Sequence, residues 1–268
     1  MSATDSVFAG SIPALYERYM VPMLFAPYAA LIAQRAQALE PRRIIETAAG
    51  TGVVTEALHS ALPDAGIVAT DLNQPMLDIA ALKVRSPKVS FAAADALALP
   101  FDDQFFDLAV CQFGIMFFPD KVQGNIEARR VLRDGGTYLL AIWDSIERNP
   151  ATSAAGRAVA ELFPGKAAAF YERIPFRYHE VAGIERDLRA AGFTDFAIET
   201  IELRSRAKSA AEAALGFVQG SPMRTEIESL NPAMLAPATE AAARALVQFE
   251  GSDGLDAPMS AHIVRATR

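Results

Sequence analysis

Between Arg42 and Asp144 short apolar runs alternate with segments of helical spacing, and that alternation restricts the fold more than any other feature. The runs are RRIIETA, AGIVATDL, KVSFAAAD, FDLAVCQFG and GGTYLLAIWD. Each reads as apolar throughout, the signature of a strand buried on both faces. Among them lie VVTEALHSAL, QPMLDIAALKVR and KVQGNIEARRVL, all helical in spacing. Pro75 falls near a helix start, where its missing N–H costs nothing. Two later runs, FTDFAIETIELRSR and MSAHIVRATR, extend the count to a seven-stranded, mostly parallel sheet. VAGIERDLRAAGF reads as an amphipathic helix with Gly192 at its C-cap. The expected fold is therefore α/β and doubly wound, with helices on both faces.

The remaining text is organised differently. Residues 1–40 read as an N-terminal helical lid, and residues 41–268 as one domain. Two helical insertions, at about 145–180 and 205–258, interrupt that domain and are expected to form a cap. Their apolar residues, among them Phe163, Phe170, Phe176, Phe217 and Met223, suit either a small apolar or aromatic ligand or the packing of the cap on itself.

Bulk properties exclude several classes. With 268 residues, 51% of them hydrophobic, the chain can bury a large core. A net charge of -7 and a pI near 5.1 argue against a general nucleic-acid binder. A single cysteine, Cys111, rules out an intramolecular disulfide, and paired Cys/His spacings for a metal are absent. There is no signal-like N-terminus and no apolar run of about 18 residues, so the reading is cytoplasmic, without stable membrane insertion. Nothing in the text sets an oligomeric state.

The chemistry concentrates in ETAAGTG. A dinucleotide site wants Gly-x-Gly-x-x-Gly, but Val53, Val54 and Thr55 follow Gly52, so the third glycine is missing. A phosphate-binding Gly-Lys-Ser/Thr is also missing. Asp71 ends the second run, about 20 residues after the glycines, where a carboxylate can hold ribose hydroxyls. Asp95 ends the third, where it can accept from an exocyclic adenine amine while the N–H of Ala96 reaches a ring nitrogen. The acids at the ends of successive parallel strands line the crevice where open sheets bind ligands.

Taken together, IIETAAGTG, VATDLNQPMLDIA, FAAADALALPFDDQFFDLAVCQF and RVLRDGGTYLLAIWD resemble the class I S-adenosylmethionine-dependent methyltransferases. The likeness is greatest to the ubiquinone-biosynthesis-type small-molecule branch. Glu46, Gly50 and Gly52 match the first motif of that family, whereas Ala48 stands where an earlier glycine is common. The resemblance implies S-adenosylmethionine as cofactor, S-adenosylhomocysteine as product, and O-, C- or N-methylation of a small-molecule acceptor. It implies that Gly50 approaches the methionine portion, that Asp71 takes the ribose, and that Asp95 and Ala96 take the adenine. Leu72 and Met76 would sandwich the adenine ring, Gln112 would lie near the sulfonium, and Tyr19 with Tyr16 would cover the cofactor from the N-terminal helix. For an acceptor base the weak candidates are His179 and His262, each more readily read as structural. Two other classes stay open at this point: a non-catalytic adenosylmethionine sensor or scaffold, and a nicotinamide-dependent oxidoreductase.

Overall fold

The structure, a computed structural model, describes residues 10–164 and 170–268. The first part of the expected lid and the middle of the first insertion lie outside those residues. The chain divides into two compact units. Tyr28–Trp143, Tyr178–Ile201 and Ala261–Arg268 make one; Met1–Pro27, Asp144–Arg177 and Glu202–Ser260 belong to the other.

The first unit is built on the sheet. Its strands are β1 (Arg43–Thr47), β2 (Gly66–Asp71), β3 (Val89–Ala93), β4 (Phe106–Gln112) and β5 (Leu132–Trp143). β6 (Asp195–Ala207) and β8 (Gly254–Thr267) complete the row, and the two-residue β7 (Glu250–Gly251) pairs with β8. The order is β3-β2-β1-β4-β5-β8-β6, the Rossmann-like arrangement that the alternation of runs anticipates. β1 to β5 pair in parallel, and β8 runs antiparallel to β5. The parallel pairing puts Thr47, Asp71, Ala93, Gln112 and Trp143 at one edge of the sheet. Beside β1 the order reverses, so the first crossover leaves from a topological switch point.

Burial explains why the central runs became strands, whereas β3 and β6, at the two ends of the order, are largely half-buried or exposed. Ile44 and Ile45 of β1, Leu108 and Val110 of β4, and Leu140 and Ile142 of β5 are all fully buried. The helices Val53–Ala61, Gln74–Lys83 and Lys121–Val131 supply the crossovers. Near the carboxyl edge Phe113 stacks on Trp143 at 3.8 Å with an interplanar angle of 7°. Tyr28 meets both rings edge-on, and its hydroxyl donates to the Ile201 carbonyl at 2.9 Å. Such aromatic geometry adds about 0.5–1.5 kcal/mol per pair beyond area burial.

The second unit holds the helices Pro150–Ala160, Ala210–Ala214, Met223–Leu230 and Leu235–Leu246. Phe163, Phe170, Phe176, Phe217 and Met223 are all buried, and Tyr171 donates from its hydroxyl to the Phe217 carbonyl at 2.7 Å. These side chains form the unit's own core, the second of the two readings their composition allowed. Its N-terminal segment is helical as expected, but Tyr16–Phe25 winds as a π-helix. Pro22 lies within it, and the wider turn suits a residue that has no N–H and collides with the i−4 carbonyl. Among the described residues no helix is long and apolar enough to cross a membrane.

The turn after β1 depends on Gly52, at φ 80°. A Cβ there would stand 2.7 Å from the Ala80 Cβ. Gly52→Ala is expected to destabilise the sheet unit by about 2–4 kcal/mol, combining left-handed strain with overpacking. Urea unfolding checks this by the fall in midpoint.

Candidate functional site

The chain must reverse from β1 into the helix Val53–Ala61 within five residues. It does so by placing Ala48, Gly50 and Gly52 in the left-handed region, at φ 53°, 56° and 80°. Most of the turn's amides are spent internally. Ala49 N–H donates to the Thr70 carbonyl at 2.9 Å, Gly52 N–H to the Ala49 carbonyl at 3.0 Å, and Gly50 N–H to Asp71 Oδ2 at 2.8 Å. Asp71 Oδ1 accepts the Asn73 N–H at 2.8 Å and its amide at 3.2 Å. A carboxylate thus sits on the glycine turn, where a phosphate-binding loop would keep N–H groups aimed at an anion.

Glu46 adds a second buried acid. It is 2% exposed, and Thr55 Oγ1 donates to its Oε2 at 2.6 Å. Burial is the main cause that pushes its pKa to about 8, and Asp71 pushes the same way. The Thr55 hydrogen bond and the Lys83 charge pull against them. Thr51 lies in the turn, 1% exposed, and its buried hydroxyl has no partner among the described residues. Thr51 and Thr55 are polar site residues that sequence reasoning missed; the sole signal was their place inside the glycine motif.

The edge beside β1 is crowded. Phe113, the residue after β4, has φ 54°, and its N–H donates to the Ala141 carbonyl at 2.8 Å. A Cβ on Gly114 would stand 2.4 Å from Ala48 Cβ and 2.9 Å from Cys111 Sγ. The methyl of Ala48, unexpected at a left-handed position, occupies the space that glycine at 114 leaves. Cys111 is fully buried, and burial raises its thiol pKa to about 11, so it is no nucleophile.

Asp95 and Ala96 follow β3 in the loop 94–105. Asp95 is exposed, and its Oδ1 accepts the Leu97 N–H at 2.9 Å. Ala94 N–H donates to the Asp71 carbonyl at 3.1 Å, joining this loop to the end of β2. Leu72 is 65% exposed, whereas Met76 is 3% exposed and belongs to the core. Of the expected sandwich, Leu72 alone presents a free apolar surface. Gln112 ends β4 in register with Ala141.

Tyr19 lies in the other unit, with Arg18 over its ring at 5.1 Å. His262 is 4% exposed; Nδ1 meets Thr200 Oγ1 at 2.9 Å and Nε2 meets the His179 carbonyl at 3.0 Å. Its ring is occupied from both sides and ties β8 to β6 and to the segment before the helix Val181–Ala190. The His179 ring meets Glu180 at 3.1 Å. Both histidines therefore hold structural partners, and neither is brought to the glycine turn by any of these bonds. Among the described residues no group of three or more His, Cys, Asp or Glu side chains could hold a metal ion.

Residues 44–136 match the family described as "Methyltransferase domain". Demethylmenaquinone methyltransferase of Deinococcus radiodurans is 38% identical over 133 residues, 49% of this chain and 53% of the relative. The namesake of Thermus thermophilus is 43% identical over 102 residues, 37% of this chain and 46% of the relative. The chain thus spans about half the length of the curated relatives it matches. The crystal structure of the YcgJ protein from Bacillus subtilis superposes with TM-score 0.59 at 17% identity, covering 90% of this chain and 98% of that one. At that identity the likeness is one of fold.

The buried acid makes a pH prediction. Glu46 has a folded pKa of about 8 against 4.5 when free, so the native state binds the proton more tightly. Stability should be highest on the acid side, fall as pH rises from about 4.5 through 8, and level off above. The Glu46→Gln variant removes this dependence. Its stability relative to wild type should grow from near zero at pH 5 to about 4 kcal/mol at pH 9. Urea titrations across that range read the divergence directly.

Proposed function

We propose that this chain, whose residues 44–136 match the methyltransferase domain family, is a class I S-adenosylmethionine-dependent methyltransferase that binds S-adenosylmethionine at the glycine turn and methylates a small acceptor. The observation that carries the reading is the Asp71 carboxylate bonded to Gly50 N–H at 2.8 Å. With that charge seated on the amide, the turn favours an ammonium or sulfonium and repels a pyrophosphate. That electrostatic choice separates this reading from a nicotinamide dinucleotide.

The residues fit the cofactor's parts. Three of about four acceptor positions on the Asp71 carboxylate are used internally, which leaves one on Oδ2 for a ribose hydroxyl. This trims the expectation that Asp71 takes both hydroxyls. Asp95 and Ala96 take the adenine edge, Leu72 supplies an apolar face to the ring, and the Thr51 hydroxyl faces the methionine end with Gly50. Gln112, at the end of β4, is assigned to the neighbourhood of the sulfonium. Bound S-adenosylmethionine supplies a methyl group already activated for in-line displacement. The chain's own work is to hold, align and exclude water, and that work requires no covalent nucleophile.

For the acceptor we assign a reduced quinone-like aromatic ring. The support is the activity for which the relatives are named, demethylmenaquinone methyltransferases.

Transfer of labelled methyl to reduced naphthoquinones, phenols, amines and keto acids tests the proposal. Transfer to the naphthoquinones alone is expected. Tight S-adenosylhomocysteine binding without transfer to any acceptor leaves a sensor, and binding of NAD without the sulfur ligands overturns the assignment. Asp71→Ala should weaken S-adenosylhomocysteine binding about 10- to 100-fold, for one charge-assisted bond lost. It should also cost about 1–3 kcal/mol of stability, because Gly50 and Asn73 lose their buried acceptor. Calorimetry and urea unfolding separate the two effects. An unchanged affinity in the folded variant would confine Asp71 to holding the turn.

A further inference from the structure

We propose that Arg130 and Glu127 are positioning residues for adenine recognition, holding the 94–105 loop from the helix Lys121–Val131 in the shape that presents Asp95 and Ala96. The inference rests on the assignment of that loop to the adenine edge, and adds the residues that make the assignment physically workable.

The loop cannot hold itself. From Ala94 to Phe105 it contains no helix or strand, and Leu99, at 5% exposure, is its one buried side chain. Fixing one backbone residue costs about 1–2 kcal/mol, so a loop this exposed needs external anchors. Arg130 provides them with all five of its N–H donors. Nε donates to Glu127 Oε1 at 2.8 Å, and Nη1 to the Phe101 carbonyl at 2.8 Å and Asp103 Oδ1 at 2.7 Å. Nη2 donates to the Leu99 carbonyl and to Glu127 Oε2, both at 2.8 Å.

Glu127 completes the set. Its Oε2 also accepts the Leu99 N–H at 2.7 Å, so the pair grips both polar groups of one loop residue. Gln123 Nε2 adds a bond to the Leu97 carbonyl at 3.1 Å. Past the clamp, Gln104 and Phe105 N–H groups donate to the Arg130 and Val131 carbonyls at 2.9 Å each. The anchors therefore begin two residues after Asp95 and run to the start of β4. Within the loop, Ala98 N–H closes a turn on the Asp95 carbonyl at 3.0 Å. What the clamp orders is a ligand-facing edge rather than core, because Asp95 itself stays exposed. The guanidinium fork makes this geometry, and a lysine ammonium with three donors cannot.

The experiment uses the full chain and two ligands, S-adenosylhomocysteine and S-inosylhomocysteine, in which a carbonyl replaces the adenine amine. Arg130→Lys and Glu127→Gln should each weaken S-adenosylhomocysteine about tenfold, the loss of one well-placed hydrogen bond, while S-inosylhomocysteine changes less than about threefold. In an Asp95→Ala background the Arg130→Lys change should cost less affinity than it does alone, since the Asp95 contact that it would misplace is already gone. Hydrogen exchange without ligand should show the Leu97 and Leu99 amides losing protection in Arg130→Lys. Equal weakening of both ligands, additive losses with Asp95→Ala, or wild-type affinity in a folded variant overturns the proposal. Should Arg130→Lys fail to fold, Asp103→Ala at the 69% exposed end of the network removes one anchor. It should produce a smaller loss, about threefold, with the same ligand bias, and no loss counts against the clamp. A wild-type protein that binds neither ligand overturns the cofactor assignment itself, a result distinct from wild-type binding with unaltered variants.

Discussion

The contact between the Asp71 carboxylate and the Gly50 amide organises the ligand edge of the sheet. It joins the end of β2 to the turn after β1 across 21 residues of sequence. The same carboxylate collects Asn73, which sets where the helix Gln74–Lys83 begins. Ala94 then donates to the Asp71 carbonyl, so the third strand's loop starts from a fixed point. One residue, through its carboxylate and its backbone carbonyl, therefore gives three consecutive strand ends a common origin. It also sets the sign of the site, because an amide occupied by a carboxylate is no longer offered to a phosphate.

Around that contact the backbone is held in unfavourable conformations. Ala48 and Phe113, both non-glycine, lie at φ near +50° on adjacent strands. Left-handed residues of this kind cost about 1–2 kcal/mol each and persist where surrounding packing over-determines them. The packing is identifiable. Phe113 is held by its stack on Trp143 and by its amide bond to Ala141, and Ala48 by its fit against Gly114. Strain at the ends of β1 and β4, beside the switch point of the sheet, agrees with the placement of a ligand there.

Charged and polar groups elsewhere divide by what they touch. Glu46 is buried against Thr55 and carries its proton near neutrality, which limits the negative charge that the turn must sustain without ligand. Arg130 and Glu127 spend their charge on a loop. His262 spends both ring nitrogens on holding neighbouring segments, which removes the more buried of the two histidines from acid–base chemistry.

The sequence by itself determined the layers and which side chains share the carboxyl edge of the sheet, where the ligand site is proposed. Buried runs such as RIIET and FDLAVCQ, separated by helical spacing, leave little choice but a parallel sheet with crossovers, since hydropathy is a local property. Gly50, Gly52, Asp71 and Asp95 at strand ends were legible for the same reason: the ends of parallel strands share an edge. Only the tertiary structure decided what each side chain does there. That Asp71 spends most of its acceptor positions on protein amides follows from a fold that brings two strand ends together. That Met76 is core while Leu72 is exposed follows from packing on the sheet, and five apolar cap residues proved to be a core of their own. His262 and the carbonyl of His179 are 83 residues apart, and Arg130 and Leu99 are 31 apart. Partners at such separations leave no periodic trace in a chain, because the residues between them are chosen for other contacts.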